Sequence, residues 1–215
     1  MDQAALLAML PTAQRLALSY ARRDTRLPTL ALLALDARLA GIVRATHEPL
    51  MGQIRLAWWR DRLGADRTNW PLGEPVLQAL CGWEGEREAL GALVDGWEAM
   101  LGDGAGRIEH LGSTRAAGFA ALASQLGAGP ADASAAAFRW SLVDCAEKLG
   151  DPELQAEAAA LLAVADWPSL RLGRALRPLQ VLYGLARRAH SNRQPRLLAT
   201  PGDGLAAIRL GLFGR

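Results

Sequence analysis

The amino-acid sequence predicts an all-α protein, and three observations support this prediction. Ala and Leu, both strong helix formers, supply much of the 51% hydrophobic content. Tyr and Phe together number only five and β-branched residues are few, which is untypical of a sheet. Prolines, glycines and capping residues recur between stretches whose apolar residues are spaced three and four apart. With 215 residues, the chain is expected to form one helical bundle around one core.

Helix-start and helix-stop residues divide the chain into a series of predicted helices. Pro28 fits a first turn, Asp132 and Ser134 are candidate caps, and Pro178 predicts a kink. The predicted helices cover residues 11–22, 28–44, 48–63, 76–80, 84–101, 107–126, 133–149, 151–165, 168–190 and 205–213. The segment before the last helix is polar and rich in Pro and Gly, which predicts a loop or a disordered tail. We therefore expect a helical domain over residues 1–190, and a polar loop with a short terminal segment over residues 191–215.

Composition and termini argue against several classes of protein. The 24 basic and 22 acidic residues nearly balance and are interleaved along the chain, so no nucleic-acid partner is expected. Cys81 and Cys145 lie far apart without metal-ligand spacing, which favours free thiols in a reducing compartment. Residues 1–3 lack the basic region of a signal peptide, and no uncharged apolar stretch reaches about 18 residues. A cytoplasmic location is expected.

The most distinctive segment is residues 48–61, which contains two adjacent tryptophans. On a helix Trp58 and Trp59 point about 100° apart, so one can enter the core while the other flanks it. Trp58 follows Met51 and Ile54 at helical spacings of seven and four. This spacing predicts that Trp58 is buried and that Trp59 flanks it. Taken alone, these residues indicate the start of a helix with packing tryptophans.

Together with residues 32–40, this segment resembles the early helices of the squalene/phytoene synthase family, whose enzymes fuse two prenyl diphosphates head to head. The similarity is closer to a divergent branch of the family that includes a mitochondrial complex I assembly factor and short bacterial relatives. It covers about residues 12–188, and is strongest over residues 34–62 and moderate over residues 116–149. The resemblance implies a shortened single-domain helical bundle of the isoprenoid synthase type.

The metal-binding acids of that family are missing here. Its first aspartate-rich motif falls on residues 40–44, which hold no acid and end in an arginine. Its second motif corresponds to residues 141–148, where the asparagine position becomes Asp144 and the arginine–aspartate pair becomes Glu147-Lys148. Ionising an allylic diphosphate requires Mg²⁺ ions held by carboxylates that face each other across the pocket. The resemblance therefore implies a non-catalytic protein that has no cofactor. An active enzyme of this kind would require Mg²⁺.

The resemblance also implies where a ligand would bind. The same helices offer arginines and apolar walls, which suit an isoprenoid or lipid-like anionic ligand. The candidate pocket residues are Asp36, Arg38, Ala40, Arg44, Gln53, Arg55, Trp59 and Asp144. No catalytic residue and no metal ligand is predicted. Periodicity leaves open whether the bundle encloses a pocket.

Three functions are expected from this combination. The first is a non-catalytic binding or assembly factor that, like the mitochondrial relative, assists a membrane-bound respiratory complex and lies against the inner face of the membrane. The second is an active prenyltransferase that acts on farnesyl or geranylgeranyl diphosphate. The third is a helical interaction domain with no ligand. The late helices are basic, which indicates either a solvated face or contact with an anionic membrane or acidic partner, through Arg171, Arg174, Arg177, Arg187 and Arg188.

Overall fold

The fold is known from a computed structural model that describes residues 3–83 and 85–214. Met1, Asp2, Glu84 and Arg215 lie outside the described residues, and so does the predicted helix start at Glu84. The described residues form eleven α-helices and no β-strand, which confirms the all-α prediction. The helices are α1 (Gln3–Met9), α2 (Thr12–Leu18), α3 (Arg23–Ala45), α4 (Pro49–Gly64), α5 (Pro75–Ala79), α6 (Arg87–Ala99), α7 (Arg107–Gln125), α8 (Pro130–Lys148), α9 (Pro152–Val164), α10 (Arg177–Ser191) and α11 (Pro201–Phe213).

The long helices α7 and α8 form the central pair of the bundle. The short connection between them reverses the chain at Gly127, which has φ +65°. The N–H groups of Gly127 and Ala128 donate to the carbonyls of Ser124 and Ala123 at 3.0 and 2.8 Å, which is the Schellman ending of a helix. The two helices therefore run antiparallel in close contact.

The other helices cover this pair on both sides. α6 packs against α7 and α10 packs against α8, while α3 contacts α5, α6 and α7. Their apolar side chains merge into one hydrophobic core. None of the helices in the described part of the chain is long and apolar enough to cross a lipid bilayer.

Several predicted helix boundaries are wrong. α3 begins at Arg23, so Pro28 lies inside the helix, and α8 begins at Pro130, so Asp132 and Ser134 lie within its first two turns. Pro178 does not kink a helix, since it occupies the first turn of α10. A proline is favourable there because the first backbone N–H groups of a helix have no partner within the helix. The preceding residues 165–173 are irregular rather than helical.

The C-terminal segment contains a longer helix than predicted. α11 begins at Pro201, where Thr200 and Asp203 form a reciprocal capping box. Residues 201–204 therefore belong to a helix rather than to the predicted loop. Ala207 and Leu210 are buried, and α11 packs against α10 and α2.

The prediction for the two tryptophans is also wrong. Trp59 is 3% exposed and lies in the core, whereas Trp58 is 38% exposed and packs edge-on against it. The buried face of α4 starts at Gly52, where a β-carbon would lie 2.6 Å from the Leu101 side chain. A glycine contributes no apolar side chain to the sequence pattern. The pattern therefore favours the face that contains Met51 as the hydrophobic face of α4. That face points outward instead.

We expect Gly96→Ala to destabilise the protein by about 1–3 kcal/mol through overpacking between α6 and α7. An alanine β-carbon at Gly96 would lie 2.0 Å from Thr114 Oγ1 and 3.0 Å from Thr114 Cβ. Gly91 on the same helix is the matched control, because nothing lies within 4 Å of its β-carbon position. Gly91→Ala should stabilise the helix by about 0.5–1 kcal/mol. Urea unfolding followed by circular dichroism measures the free energy of unfolding of both variants. If the two substitutions change it in the same direction, the predicted contact at Gly96 is contradicted.

Candidate functional site

An arginine occupies the centre of the bundle. Arg115 on α7 is 5% exposed and lies one helical turn from Leu111 and from Phe119, both of which are also buried. This stripe faces the interior, so the helix inserts a guanidinium group among apolar residues. A charge in such a place is stable only when it is paired and hydrogen-bonded.

Asp36 on α3 is the first partner of Arg115. Nε and Nη2 of Arg115 donate to the two carboxylate oxygens of Asp36, each at 2.9 Å. The same carboxylate accepts a hydrogen bond of 2.8 Å from the indole N–H of Trp97 on α6. Two parallel bonds between a guanidinium and a carboxylate hold both groups in one orientation. α3, α6 and α7 are therefore joined at one point.

Asp144 on α8 is the second partner. Nη1 of Arg115 donates to Asp144 Oδ2 and to Ser141 Oγ, both at 3.1 Å. Lys148, one turn further along α8, pairs with the other oxygen of Asp144. The charges alternate along the row Asp36, Arg115, Asp144 and Lys148 and sum to zero. We call these four residues the Arg115 network.

Two tryptophans enclose the guanidinium. The central carbon of Arg115 lies 5.0 Å from the ring centre of Trp97 and 5.4 Å from that of Trp140. Both rings are suited to cation–π contact at these distances. Phe119 packs edge-on against Trp140 with ring centres 5.7 Å apart. The guanidinium of Arg115 is thus flanked by aromatic side chains.

Burial and pairing act in opposite directions on these ionisable groups. Burial alone would lower the pKa of Arg115, but Asp36 and Asp144 more than offset it and raise the pKa. Burial alone would raise the pKa of Asp144, but the charges of Lys148 and Arg115 hold it below its ordinary value. The stabilisation from Asp144 is therefore complete above the ordinary carboxylate pKa, and it is lost as the pH falls through the lowered value.

The network also bears on the reactivity of the two cysteines. Burial raises the pKa of the Cys145 thiol, beside Arg115, to about 11, so this thiol stays protonated near neutral pH. Cys81 is only partly buried. We expect iodoacetamide to alkylate Cys81 in the folded protein and Cys145 only after unfolding, as mass spectrometry can measure. The control is the Cys81→Ser variant, in which Cys145 is the remaining thiol. If iodoacetamide alkylates Cys145 as fast in the folded variant as in urea, the prediction is wrong.

A small cavity lies beside the network. Its volume is about 60 Å³, and α3 and α8 both contribute to its lining. Asp36, Ala40 and Arg44 line it from α3, and Asp144 and Lys148 line it from α8. Small-molecule sites commonly measure about 300–1,000 Å³, so the space suits a few water molecules.

The candidate pocket residues divide into two groups. Four of them, Asp36, Ala40, Arg44 and Asp144, line this cavity together. The other four lie elsewhere. Arg38 pairs with Glu74 at 3.1 Å, Gln53 and Arg55 are exposed on α4, and Trp59 belongs to the core.

Sequence reasoning did not identify Arg115, Trp97, Trp140 or Ser141 as members of the site. A signal for Arg115 was present, because it occupies the apolar stripe of its helix in register with Leu111. An arginine in a buried register predicts a buried carboxylate partner. The sequence does not indicate which carboxylate, since Asp36 is 79 positions away from Arg115.

The cavity does not fit the Mg²⁺ ions that the squalene/phytoene synthase resemblance would require of an enzyme. Magnesium needs oxygen ligands whose charge is available to it. Here Asp36 and Asp144 are both bound to Arg115, and Arg44 and Lys148 add positive charge to the same cavity. Within the described residues, no three His, Cys, Asp or Glu side chains are grouped as metal ligands.

Comparisons with known protein families, curated proteins and solved structures returned no match to this chain.

Proposed function

We propose that this chain is a divergent, non-catalytic member of the squalene/phytoene synthase family that acts by binding a protein partner. One observation carries the proposal. The positions that resemble the two acidic motifs, at Ala40–Arg44 on α3 and near Asp144 on α8, line the same cavity. Facing positions are what that family requires of its two motifs. Here the cations Arg44 and Lys148 stand at positions where the family has metal-binding acids, and Ala40 and Gly41 are neutral.

The filled interior supports binding at the surface rather than inside. Arg115, Trp97 and Trp140 occupy the space between the helices, and about 60 Å³ remains beside them. A farnesyl or geranylgeranyl chain needs a cavity several times larger. This favours the assembly-factor and interaction-domain alternatives over a prenyl-binding protein.

We propose the outer face of α4 as the partner site, because α4 lies in the part of the chain where the family resemblance is strongest. Leu50, Ile54 and Trp58 follow one another at spacings of four and are 66%, 55% and 38% exposed. An exposed row of large apolar side chains on one helix typically marks an interaction surface. Arg55 is exposed on the same helix and, among the described residues, has no carboxylate within 4 Å. The face therefore suits an apolar partner helix with acidic neighbours.

The family resemblance suggests which partner to test first. The related branch includes a complex I assembly factor, so we propose a respiratory-complex subunit as the partner. The protein would then act in the cytoplasm against the inner face of the membrane.

Prenyl diphosphates provide the test against an enzyme. The purified protein is expected to show no thermal stabilisation by farnesyl or geranylgeranyl diphosphate, with or without Mg²⁺. Stabilisation without metal would point to a prenyl-binding protein. Stabilisation that requires Mg²⁺, together with presqualene diphosphate, squalene or phytoene above a heat-killed control, would overturn the non-catalytic proposal.

The partner face is tested separately with matched variants. Leu50→Ser/Ile54→Ser/Trp58→Ser removes the apolar row of α4, and Leu205→Ser/Ile208→Ser/Leu212→Ser removes a row on α11 that is exposed to a comparable extent. We expect a respiratory-complex subunit to bind the purified native chain and the α11 variant, and to lose binding to the α4 variant. Equal binding by all three proteins would rule out α4 as the site.

A further inference from the structure

A second, larger cleft lies between α10, α11 and the irregular segment 165–173. Its volume is about 350 Å³, and none of its lining residues belongs to the Arg115 network. Four arginines line it: Arg171 from the irregular segment, Arg187 and Arg188 from α10, and Arg209 from α11. Three different parts of the chain therefore bring guanidinium groups to one cleft.

Most of this positive charge is not neutralised by the residues that the structure describes. Arg188 pairs with Asp203 at 2.7 Å. Arg171, Arg187 and Arg209 have no carboxylate within 4 Å in the described part of the chain. Like charges that face one cleft repel each other and raise the local concentration of anions.

The charge of the whole region is similarly unbalanced. Residues 165–215 contain nine arginines and only two acids, Asp166 and Asp203, whereas residues 1–164 contain 15 basic and 20 acidic residues. Both acids of the region are already paired, since Asp166 binds Arg139 and Asp203 binds Arg188. Within the described residues, no further carboxylate pairs with the arginines of the cleft.

The walls of the cleft are held in place by buried polar groups. Gln180 on α10 is 4% exposed and binds the irregular segment on both sides of Arg171, accepting from Leu172 N at 2.7 Å and donating to the Leu170 carbonyl at 3.3 Å. Asp203 is fully buried and joins α11 to Arg188 of α10. Preorganised walls reduce the entropy lost when a ligand binds.

We propose that this cleft is a binding site for a phosphoryl group, held by Arg171, Arg187 and Arg209. Guanidinium groups present paired N–H donors that match phosphate oxygens, and they remain charged at any physiological pH. The volume lies at the lower end of the range for small-molecule sites, which suits a phosphate ester better than a bare ion. The phosphoryl group can come from a soluble ester or from the headgroup of an anionic lipid. This site is independent of the function proposed above.

The test uses the full chain and two kinds of probe. The soluble arm titrates inorganic pyrophosphate and glycerol 3-phosphate by calorimetry. The lipid arm measures co-sedimentation with phosphatidylcholine vesicles that contain or lack phosphatidic acid. The site variant is Arg171→Gln/Arg187→Gln/Arg209→Gln. The matched control, Arg15→Gln/Arg23→Gln/Arg196→Gln, removes the same charge from exposed positions outside the cleft.

We expect the native chain to bind in at least one arm, the site variant to bind at least about tenfold more weakly, and the control variant to stay within about twofold. Binding of glycerol 3-phosphate identifies a phosphate ester, and binding of pyrophosphate alone identifies an inorganic phosphoryl ligand. Binding only to vesicles with phosphatidic acid identifies a lipid headgroup. No binding in either arm, or an equal loss in the control variant, would overturn the proposal. All six arginines replaced in the two triple variants are exposed, so circular dichroism should give the same spectrum for both variants and for the native chain. The single variant Arg209→Gln is a milder test of the same cleft.

Discussion

Arg115→Met is expected to lower the free energy of unfolding by about 3–5 kcal/mol, because it leaves Asp36 and Asp144 buried without their shared cation. Arg115 and both carboxylates are at most 5% exposed, so bulk solvent does not hydrate the two acids as it would at the surface. Urea unfolding followed by circular dichroism measures the change. The control is Arg60→Met, which removes an arginine that also bridges two acids, Asp95 and Glu98, but whose side chain is 40% exposed. It should cost about 0.2–1 kcal/mol.

Second-site variants separate a lost ion pair from lost packing. In the Arg115→Met background, Asp36→Asn should recover more stability than Asp144→Asn. Asp144 keeps the charged partner Lys148, whereas Asp36 keeps the neutral indole N–H of Trp97. An unpaired buried charge costs more than a neutral amide in the same place. If neither substitution recovers stability, the cost of losing Arg115 comes from packing and the electrostatic account is wrong.

Trp59→Ala is expected to destabilise the protein by about 3–5 kcal/mol, since Trp59 is buried where α4 meets the core. Trp58→Ala is the matched control one residue away. It should cost about 1 kcal/mol, because the Trp58 ring is 38% exposed and loses chiefly its edge-on contact with Trp59. A larger loss for Trp58 than for Trp59 would mean that α4 is rotated from the orientation described here.

The sequence predicts a helix end correctly where neighbouring residues alone determine that end. Asp151 accepts from the N–H groups of Glu153 and Leu154 at 2.8 and 3.3 Å, and α9 begins at Pro152 as its sequence predicts. Gly127 ends the α7 region as expected, because few other residues adopt its positive φ readily. Caps and glycine turns depend on atoms within a few residues, so the sequence by itself determined the all-α class and most helix ends.

Tertiary structure decided which faces and which partners meet. The buried face of α4 follows Gly52 and Trp59 rather than Met51 and Trp58, because Leu101 packs where a glycine leaves room. Asp36, Arg115 and Asp144 lie 79 and 29 positions apart, so only the packing of α3, α7 and α8 selects them as partners. Burial energy depends on these long-range contacts and not on helix propensity. Arg44 was visible in the sequence, but the buried ion network beside it depends on the packed helices.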